Sequence, residues 1–266
     1  MERNTSFSGT IPANYEKHLG PFLFEPYALH VVSLLQEKKY PAILEIACGT
    51  GRVTAHLAKD VKHDSLTATD LNADMMEVAK KIVKDKNIKW ELADAMELPF
   101  ADNSFDLVVC QFGIMFFPDK PKGLQEAYRV LKPGGKLLFS TWDKLEHNPA
   151  IQEGRKVIEN YFGENPPGFY NIPFLMHHED ELQTLMKDAG FKNCKTSLVK
   201  KEGISESAAG LSKGMVEGSP IFFSIIEKDP ALVEKIEKHV EKDLTEKFGN
   251  EPLKSPLSVW VCEGEK

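Results

Sequence analysis

The chain has 266 residues, 42% hydrophobic and 27% charged, with a formal net charge of −7. This composition suits a soluble folded chain large enough for one α/β domain or a domain with an inserted cap, and it excludes a disordered polymer. The acidic balance offers no basic surface for phosphates, so no nucleic-acid partner is expected. No apolar run approaches the ~20 residues of a membrane span. Residues Met1 to Ser6 lack the basic start and apolar core of a signal peptide, so the expected location is the cytoplasm. Cys48, Cys110, Cys194 and Cys262 are scattered with no CxxC pair, which argues against a disulfide framework and against a metal site.

In chain order, residues 1–14 carry few apolar side chains and read as a loose arm. From Tyr15 to Tyr27 the chain turns aromatic, with Phe22 and Phe24 between. A helix is predicted over Tyr27–Lys38, with Leu29, Val32 and Leu35 at helical spacing. Tyr15 has two readings, a lid beside a ligand or plain docking of an N-terminal helix; the two phenylalanines read as packing.

Ile43, Leu44 and Ile46 form the short apolar run of a strand buried on both faces of a parallel sheet. The run breaks at Gly49-Thr50-Gly51, and Val53, Leu57 and Val61 then mark one face of a helix. Strand, glycine turn and helix set backbone N–H groups and a helix N-terminus against a ligand above the strand. Leu66 to Asp70 reads as a second strand ending in a carboxylate. Asp70 follows Gly51 by 19 residues, a spacing at which an acid at the next strand tip accepts hydrogen bonds from a ribose diol.

Asn72–Lys84 is a predicted helix with Met75, Met76 and Ala79 on its apolar face. Leu71 and Met75 divide between core packing and contact with a flat base. Ile88–Leu92 is the third strand, and Asp94 and Ala95 follow its end. Asp94 reads as a ligand contact or as a helix N-cap. Leu107–Cys110 is the fourth strand, ending at Gln111; no Asn/Asp-Pro-Pro-aromatic motif of amino-methylating DNA enzymes stands there. A helix over Asp119–Leu131 leads through a Lys-Pro-Gly-Gly turn to a fifth strand, Leu137–Trp142.

Past Trp142 the signals thin. Helices are expected over Ile151–Phe162 and Glu179–Ala189, the second closed by Gly190. Cys194–Lys200 is the next strand, and residues 204–223 are mixed. Asp229 and Pro230 read as N-cap and first residue of a long helix with Val233, Ile236, Val240, Leu244 and Phe248 on one stripe. Leu257–Cys262 is the last strand.

Glu45, Ala47, Gly49 and Gly51 form an acidic residue followed by spaced small residues. Together with the turn from Leu131 to Gly135, they resemble the class I S-adenosylmethionine-dependent methyltransferases, of the small-molecule type similar to quinone-ring and natural-product enzymes. Residues 42–142 carry the likeness, with Ala47 where that family has a first glycine. A dinucleotide site wants a third glycine, and Thr54 stands there.

The resemblance implies a Rossmann-like α/β fold, a seven-stranded doubly wound sheet of order 3-2-1-4-5-7-6 with the last strand antiparallel. It implies S-adenosylmethionine as cofactor and S-adenosylhomocysteine as product. It assigns cofactor contacts to Tyr15, Glu45, Ala47, Gly49, Gly51, Asp70, Leu71, Met75, Asp94, Ala95 and Gln111. The activity implied is methyl transfer to a small organic acceptor, with oxygen, nitrogen and carbon all open.

One methyltransferase domain is expected over residues 1–266: arm and helix 1–40, cofactor-binding core 41–143, and a cap insertion 204–250. Insertion and arm are expected to roof a pocket, since apolar residues on an insertion need a surface to cover. His147, Tyr170, His177 and His178 are candidate bases, and no catalytic residue is assigned. The expected partner is a small molecule, and the expected assembly a monomer or homodimer. A nicotinamide-dependent oxidoreductase and a catalytically inactive cofactor-binding interaction protein are the rival readings.

Overall fold

Short apolar runs alternate with amphipathic segments along the chain, and they become strands and helices in the computed structural model, which describes residues 7–266. The first elements are α1 (Ile11–Asn14), a π-helical segment π1 (Tyr15–Phe24), α2 (Glu25–Ser33), β1 (Ala42–Ile46), α3 (Arg52–Asp60), β2 (Ser65–Asp70) and α4 (Ala73–Ile82). There follow β3 (Ile88–Leu92), β4 (Phe105–Gln111), α5 (Lys120–Val130), β5 (Leu131–Trp142) and α6 (Pro149–Asn160). The chain ends with α7 (Glu179–Asp188), β6 (Lys192–Ser205), α8 (Ala208–Glu217), α9 (Ile221–Lys228), α10 (Leu232–Phe248) and β7 (Leu253–Glu265).

The strands form one sheet of order β3-β2-β1-β4-β5-β7-β6, the order the family resemblance implies. β1 pairs in parallel with β2 and β4, β2 with β3, and β4 with β5. β7 runs antiparallel to β5, from Trp142 opposite Val259 to Lys136 opposite Glu265. Parallel pairing sets the C-terminal ends of β1 to β4 on one edge, where α/β sheets bind ligands. The sheet centre is apolar on both faces: Ile43, Leu44, Leu107, Val108 and Val109 are fully buried.

The chain divides into two compact units. Ala28–Asp143, Pro173–Val199 and Val259–Lys266 make the sheet unit, and the remaining described residues make a helical unit. Within the helical unit, α8 carries glycines at 210 and 214, with Gly218 at its C-cap, along its contact with α1 and π1. A Cβ on Gly214 would lie 2.8 Å from side-chain atoms of both His18 and Leu19, so the two helices touch backbone to side chain. Asn14 Nδ2 donates to Glu217 Oε2 at 3.0 Å along the same seam. On the other side of α8, Ser212 Oγ donates to the Glu237 carbonyl of α10 at 2.7 Å.

Several boundaries differ from expectation, each for a physical reason. Of the predicted loose arm, residues 1–6 lie outside the described residues, and Ile11–Asn14 is helical because Ile11 and Pro12 are buried. The aromatic stretch after it is π1, whose wide turns show in the Glu25 N–H bonding back five residues to Gly20. The helix predicted over Tyr27–Lys38 runs instead from Glu25 to Ser33, and Leu29, expected on its inner face, is 51% exposed. The face that is buried carries Tyr27, Ala28, Val31 and Val32.

Asp229 does not cap α10. Its carboxylate accepts from Ala231 N–H in a turn ahead of the helix, which starts at Leu232. β6 and β7 extend well past the predicted strands, to 14 and 13 residues. Most of β6 faces solvent as the sheet's edge, so apolar alternation could not mark its length.

Candidate active site

The site is built from the turn after β1. Ala47, Gly49 and Gly51 all have positive φ, at 54°, 56° and 80°. These three left-handed residues bend the chain sharply from strand into α3. Glycine serves at 49 and 51, while Ala47 holds that conformation with a Cβ in place. Gly49 leaves its approach open, since a Cβ there would meet nothing closer than Met75 Cε at 3.6 Å. Gly51 is different: a Cβ there would come within 2.9 Å of Ala79 Cβ and 3.0 Å of Val83 Cγ2, so this glycine lets α4 pack against the turn.

Asp70 closes β2 beside that turn. Gly49 N–H donates to its Oδ2 at 2.7 Å and Asn72 N–H to its Oδ1 at 2.8 Å. Burial pushes this carboxyl up, while N–H groups of Asn72, Gly49 and Leu71 pull it down. A carboxylate has about four lone-pair positions, so these backbone donors leave it acceptor capacity. Asn72 then caps α4 through Met75 N–H at 3.0 Å.

Leu71 presents a 54% exposed side chain next to Asp70, while Met75 is buried. Of the two candidates for packing on a base, Leu71 thus has the free surface and Met75 supports the Gly49 turn. Past β3, Asp94 Oδ1 accepts from Met96 N–H at 2.8 Å and the Asp94 carbonyl from Glu97 N–H at 3.0 Å, with Ala95 buried in that turn. Asp94 therefore caps a local turn and keeps a second carboxylate oxygen for a ligand. Ala93 N–H bonds to the Asp70 carbonyl at 3.0 Å, which ties the Asp94 loop to the Asp70 tip.

Glu45 lies deeper. It is 2% exposed, and Thr54 Oγ1 donates to its Oε2 at 2.6 Å. Burial raises its pKa to about 8, with the Asp70 charge adding to the shift and the Thr54 bond opposing it. Thr54, at the place of a dinucleotide fingerprint's third glycine, thus anchors this carboxyl.

Gln111 ends β4 opposite Ser140. Phe112 follows with φ of +56°, uncommon for a bulky residue, and stacks on Trp142 with centroids 4.5 Å apart. Gly113 lets the ends of β1 and β4 meet, because a Cβ there would lie 2.5 Å from Ala47 Cβ. Sequence reading did not single out Phe112, Trp142 or Gly113. An aromatic-glycine pair directly after an apolar strand was the available signal.

The sheet unit brings together Glu45, Ala47, Gly49, Gly51, Asp70, Leu71, Met75, Asp94, Ala95 and Gln111 along the strand ends. Tyr15 belongs to the helical unit, stacked on Phe24 at 4.8 Å and edge-on to Phe7 at 5.7 Å. The candidate bases are scattered. Tyr170 is buried, its hydroxyl donating to the Met215 carbonyl at 2.9 Å, and burial pushes the phenol up, away from base chemistry. His177 Nδ1 bonds the Phe174 carbonyl at 2.6 Å, and His178 and His147 are exposed. Among the described residues no cluster of three or more metal-ligating side chains occurs.

The protein family described as a methyltransferase domain covers residues 44–139. The ubiquinone/menaquinone biosynthesis C-methyltransferase UbiE of Rickettsia bellii is 36% identical over 175 residues, 56% of this chain and 68% of that protein. The chain belongs to the class I S-adenosylmethionine-dependent methyltransferases. It is an enzyme that transfers a methyl group from S-adenosylmethionine to a small molecule, and the oxidoreductase reading is not favoured.

Solved structures agree on the fold. Phosphoethanolamine N-methyltransferase 2 of Haemonchus contortus, in complex with S-adenosyl-L-methionine, matches 98% of this enzyme and 57% of that chain at TM-score 0.62 and 18% identity. The YcgJ protein of Bacillus subtilis matches 90% of this chain and 98% of its own at TM-score 0.59 and 18% identity.

Proposed function

We propose that the strand-end residues hold S-adenosylmethionine in named roles. Asp70 binds the ribose hydroxyls, Leu71 packs on the adenine, and Asp94 with the Ala95 N–H reads the adenine edge. The Gly49–Gly51 turn borders the methionine end, and Gln111 borders the reacting methyl. The observation that carries the reading is the Asp70 carboxylate, held at 2.7 and 2.8 Å by two backbone donors with acceptor capacity left over. When bound, the cofactor supplies an electrophilic methyl and leaves as S-adenosylhomocysteine. The protein's share is positioning and exclusion of water, which supplies several kcal/mol without a catalytic base.

For the acceptor, the reading is a planar apolar small molecule methylated on carbon. The name of the Rickettsia relative, a ubiquinone/menaquinone C-methyltransferase, supports it. Residues 204–250, with Tyr15, are assigned the choice of acceptor. The net charge of −7 supports a substrate other than nucleic acid. Among the described residues no helix is long and apolar enough to cross a membrane; the reading places the enzyme in the cytoplasm as a monomer or homodimer.

Calorimetry on Asp70→Ala tests the site. Charge-assisted hydrogen bonds contribute roughly 1.5–3 kcal/mol, so affinity for S-adenosylmethionine falls on the order of tenfold to a hundredfold. A folded variant with parental affinity removes Asp70 from the site. Methyl transfer from labelled cofactor to hydroquinones, compared with amines, tests the acceptor.

A further inference from the structure

The ends of β1 and β4 each lead into a left-handed residue, Ala47 with φ of +54° and Phe112 with φ of +56°. For Phe112 this backbone is an outlier, because a bulky side chain there crowds its own main chain. Such strain persists where the surroundings over-determine it. The Phe112 N–H donates to the Ser140 carbonyl of β5 at 3.1 Å, and its ring stacks on Trp142 with centroids 4.5 Å apart and planes 14° from parallel. Both side chains are buried. Trp142 is itself fixed, opposite Val259 in the β5–β7 ladder and against the Phe174 ring at 6.1 Å. The turn at Phe112 delivers Gly113 onto Ala47, so closely that a Cβ on Gly113 would lie 2.5 Å from Ala47 Cβ and 2.8 Å from Cys110 Sγ. Ala47 opens the turn that leads to Gly49, whose N–H holds Asp70 at 2.7 Å. Trp142, Phe112, Gly113 and Ala47 thus form one packed line within the sheet unit, from the end of β5 to the glycine turn.

Resting on the cofactor site proposed above, we infer that Trp142 is a positioning residue for S-adenosylmethionine: its ring holds Phe112 left-handed, and Phe112 in turn seats Gly113 against the turn that binds the cofactor. Trp142 acts through its neighbours. Without its ring, Phe112 relaxes to the negative φ that its side chain favours, Gly113 leaves Ala47, and the glycine turn loses the wall behind it. Glycine at position 112 has no such preference, so Phe112→Gly holds the turn without help from Trp142. Positions 112 and 142 are therefore coupled in cofactor affinity, and the coupling disappears when residue 112 carries no Cβ.

Calorimetry with S-adenosylmethionine, on variants whose folding is checked by urea titration, tests the coupling. Trp142→Leu should lower affinity about tenfold, ~1.4 kcal/mol, the scale of one strained left-handed residue. Trp142→Phe, which keeps a flat ring, should recover most of that loss. In a Phe112→Gly background, Trp142→Leu should cost less than about threefold. Phe112→Gly should also bind the cofactor about fivefold more tightly than Phe112→Ala, since alanine keeps the Cβ and loses the ring. A stack with a merely structural role moves the urea midpoint of these variants and leaves the affinity of the folded protein level. Parental affinity in folded Trp142→Leu overturns the inference, as does an equal loss in both backgrounds. If Trp142→Leu fails to fold, the Phe112 pair decides: equal affinity in Phe112→Gly and Phe112→Ala overturns it. Asp70→Ala, measured alongside, separates the two readings. If it keeps parental affinity, the site reading falls and the inference with it. If it loses affinity while the Trp142 and Phe112 variants behave as a structural stack would, the site stands and the inference alone falls.

Discussion

Alanine at Gly51 and at Gly49 should do different damage, although both glycines belong to one turn. Both have positive φ, 80° and 56°, and a Cβ in that region costs about 1–2 kcal/mol. At Gly49 the backbone term is nearly the whole cost, because Met75 Cε at 3.6 Å is an ordinary contact. At Gly51 the new Cβ meets Ala79 Cβ at 2.9 Å, Val83 Cγ2 at 3.0 Å and the Ala79 Cα at 3.3 Å. The two Ala79 atoms are fixed to α4 and cannot swing away, so overpacking adds roughly 1–3 kcal/mol. Urea unfolding should therefore show Gly51→Ala losing about 2–5 kcal/mol and Gly49→Ala about 1–2 kcal/mol. Cofactor affinity should fall in both, since both disturb the N–H groups of the turn. Ala79→Gly in the Gly51→Ala background removes the nearest atom, and the double-mutant cycle should show coupling of at least ~1 kcal/mol. Equal stability losses at the two positions, with an additive cycle, would refute the claim that Gly51 exists for the packing of α4.

Glu45→Gln should alter stability in a pH-dependent way. The folded-state pKa lies above the ordinary value, from 4.5 to about 8, so the folded protein keeps a proton that the unfolded chain has lost. Stability drains away as pH rises through that window, and glutamine removes the loss. The variant should gain on the order of 4–5 kcal/mol at pH 8 relative to its effect at pH 4; a difference independent of pH in urea titrations contradicts the assigned burial. Arg129→Ala should cost roughly 2–3 kcal/mol. It removes donors to Glu126 at 2.8 Å and to the Leu98 and Phe100 carbonyls at 2.9 and 2.7 Å, and a loss under 1 kcal/mol in the same assay makes the cluster incidental. Replacing residues 204–250 with the matching segment of a relative that methylates another acceptor should change acceptor preference more than about tenfold while moving cofactor affinity less than about threefold. A folded chimera that keeps its original preference assigns the segment a purely structural role.

The sheet was legible because its central strands are buried on both faces, which writes Ile43-Leu44 and Leu107-Val108-Val109 as unbroken apolar runs. Asp70 was legible because residue type and spacing coincide at a strand tip. Edge strand β6 was legible only over Cys194–Lys200 and not over its full length Lys192–Ser205, since a solvent-facing strand carries lysines and no alternation. π1 escaped because its turns are wider than the helical period against which sequences are read. Leu29 misled for a related reason: the helix begins two residues earlier than its apolar spacing suggests, and the buried face is rotated. Within the site, Glu45 was recognisable as an acid, but its protonation depends on the depth of burial and on Thr54. The left-handed Phe112 depends on a stack with Trp142, which lies 30 residues further along the chain.

The glycines of α8 also bear on how the chain matures. Each glycine inside a helix costs about 1 kcal/mol relative to alanine, and a helix this short is marginal alone in water. α8 therefore relies on π1 as a template, and π1 on α8. The bond from Asn14 to Glu217 closes a separation of 203 residues. At roughly 5–20 residues per second of synthesis, about 10–40 s pass between the appearance of the first partner and the second. During that interval Ile11, Leu19 and Phe22, all buried in the finished protein, have not yet met α8. The helical unit is thus completed late, after the central strands of the sheet have left the ribosome, and its N-terminal segment waits longest for its partner along that seam.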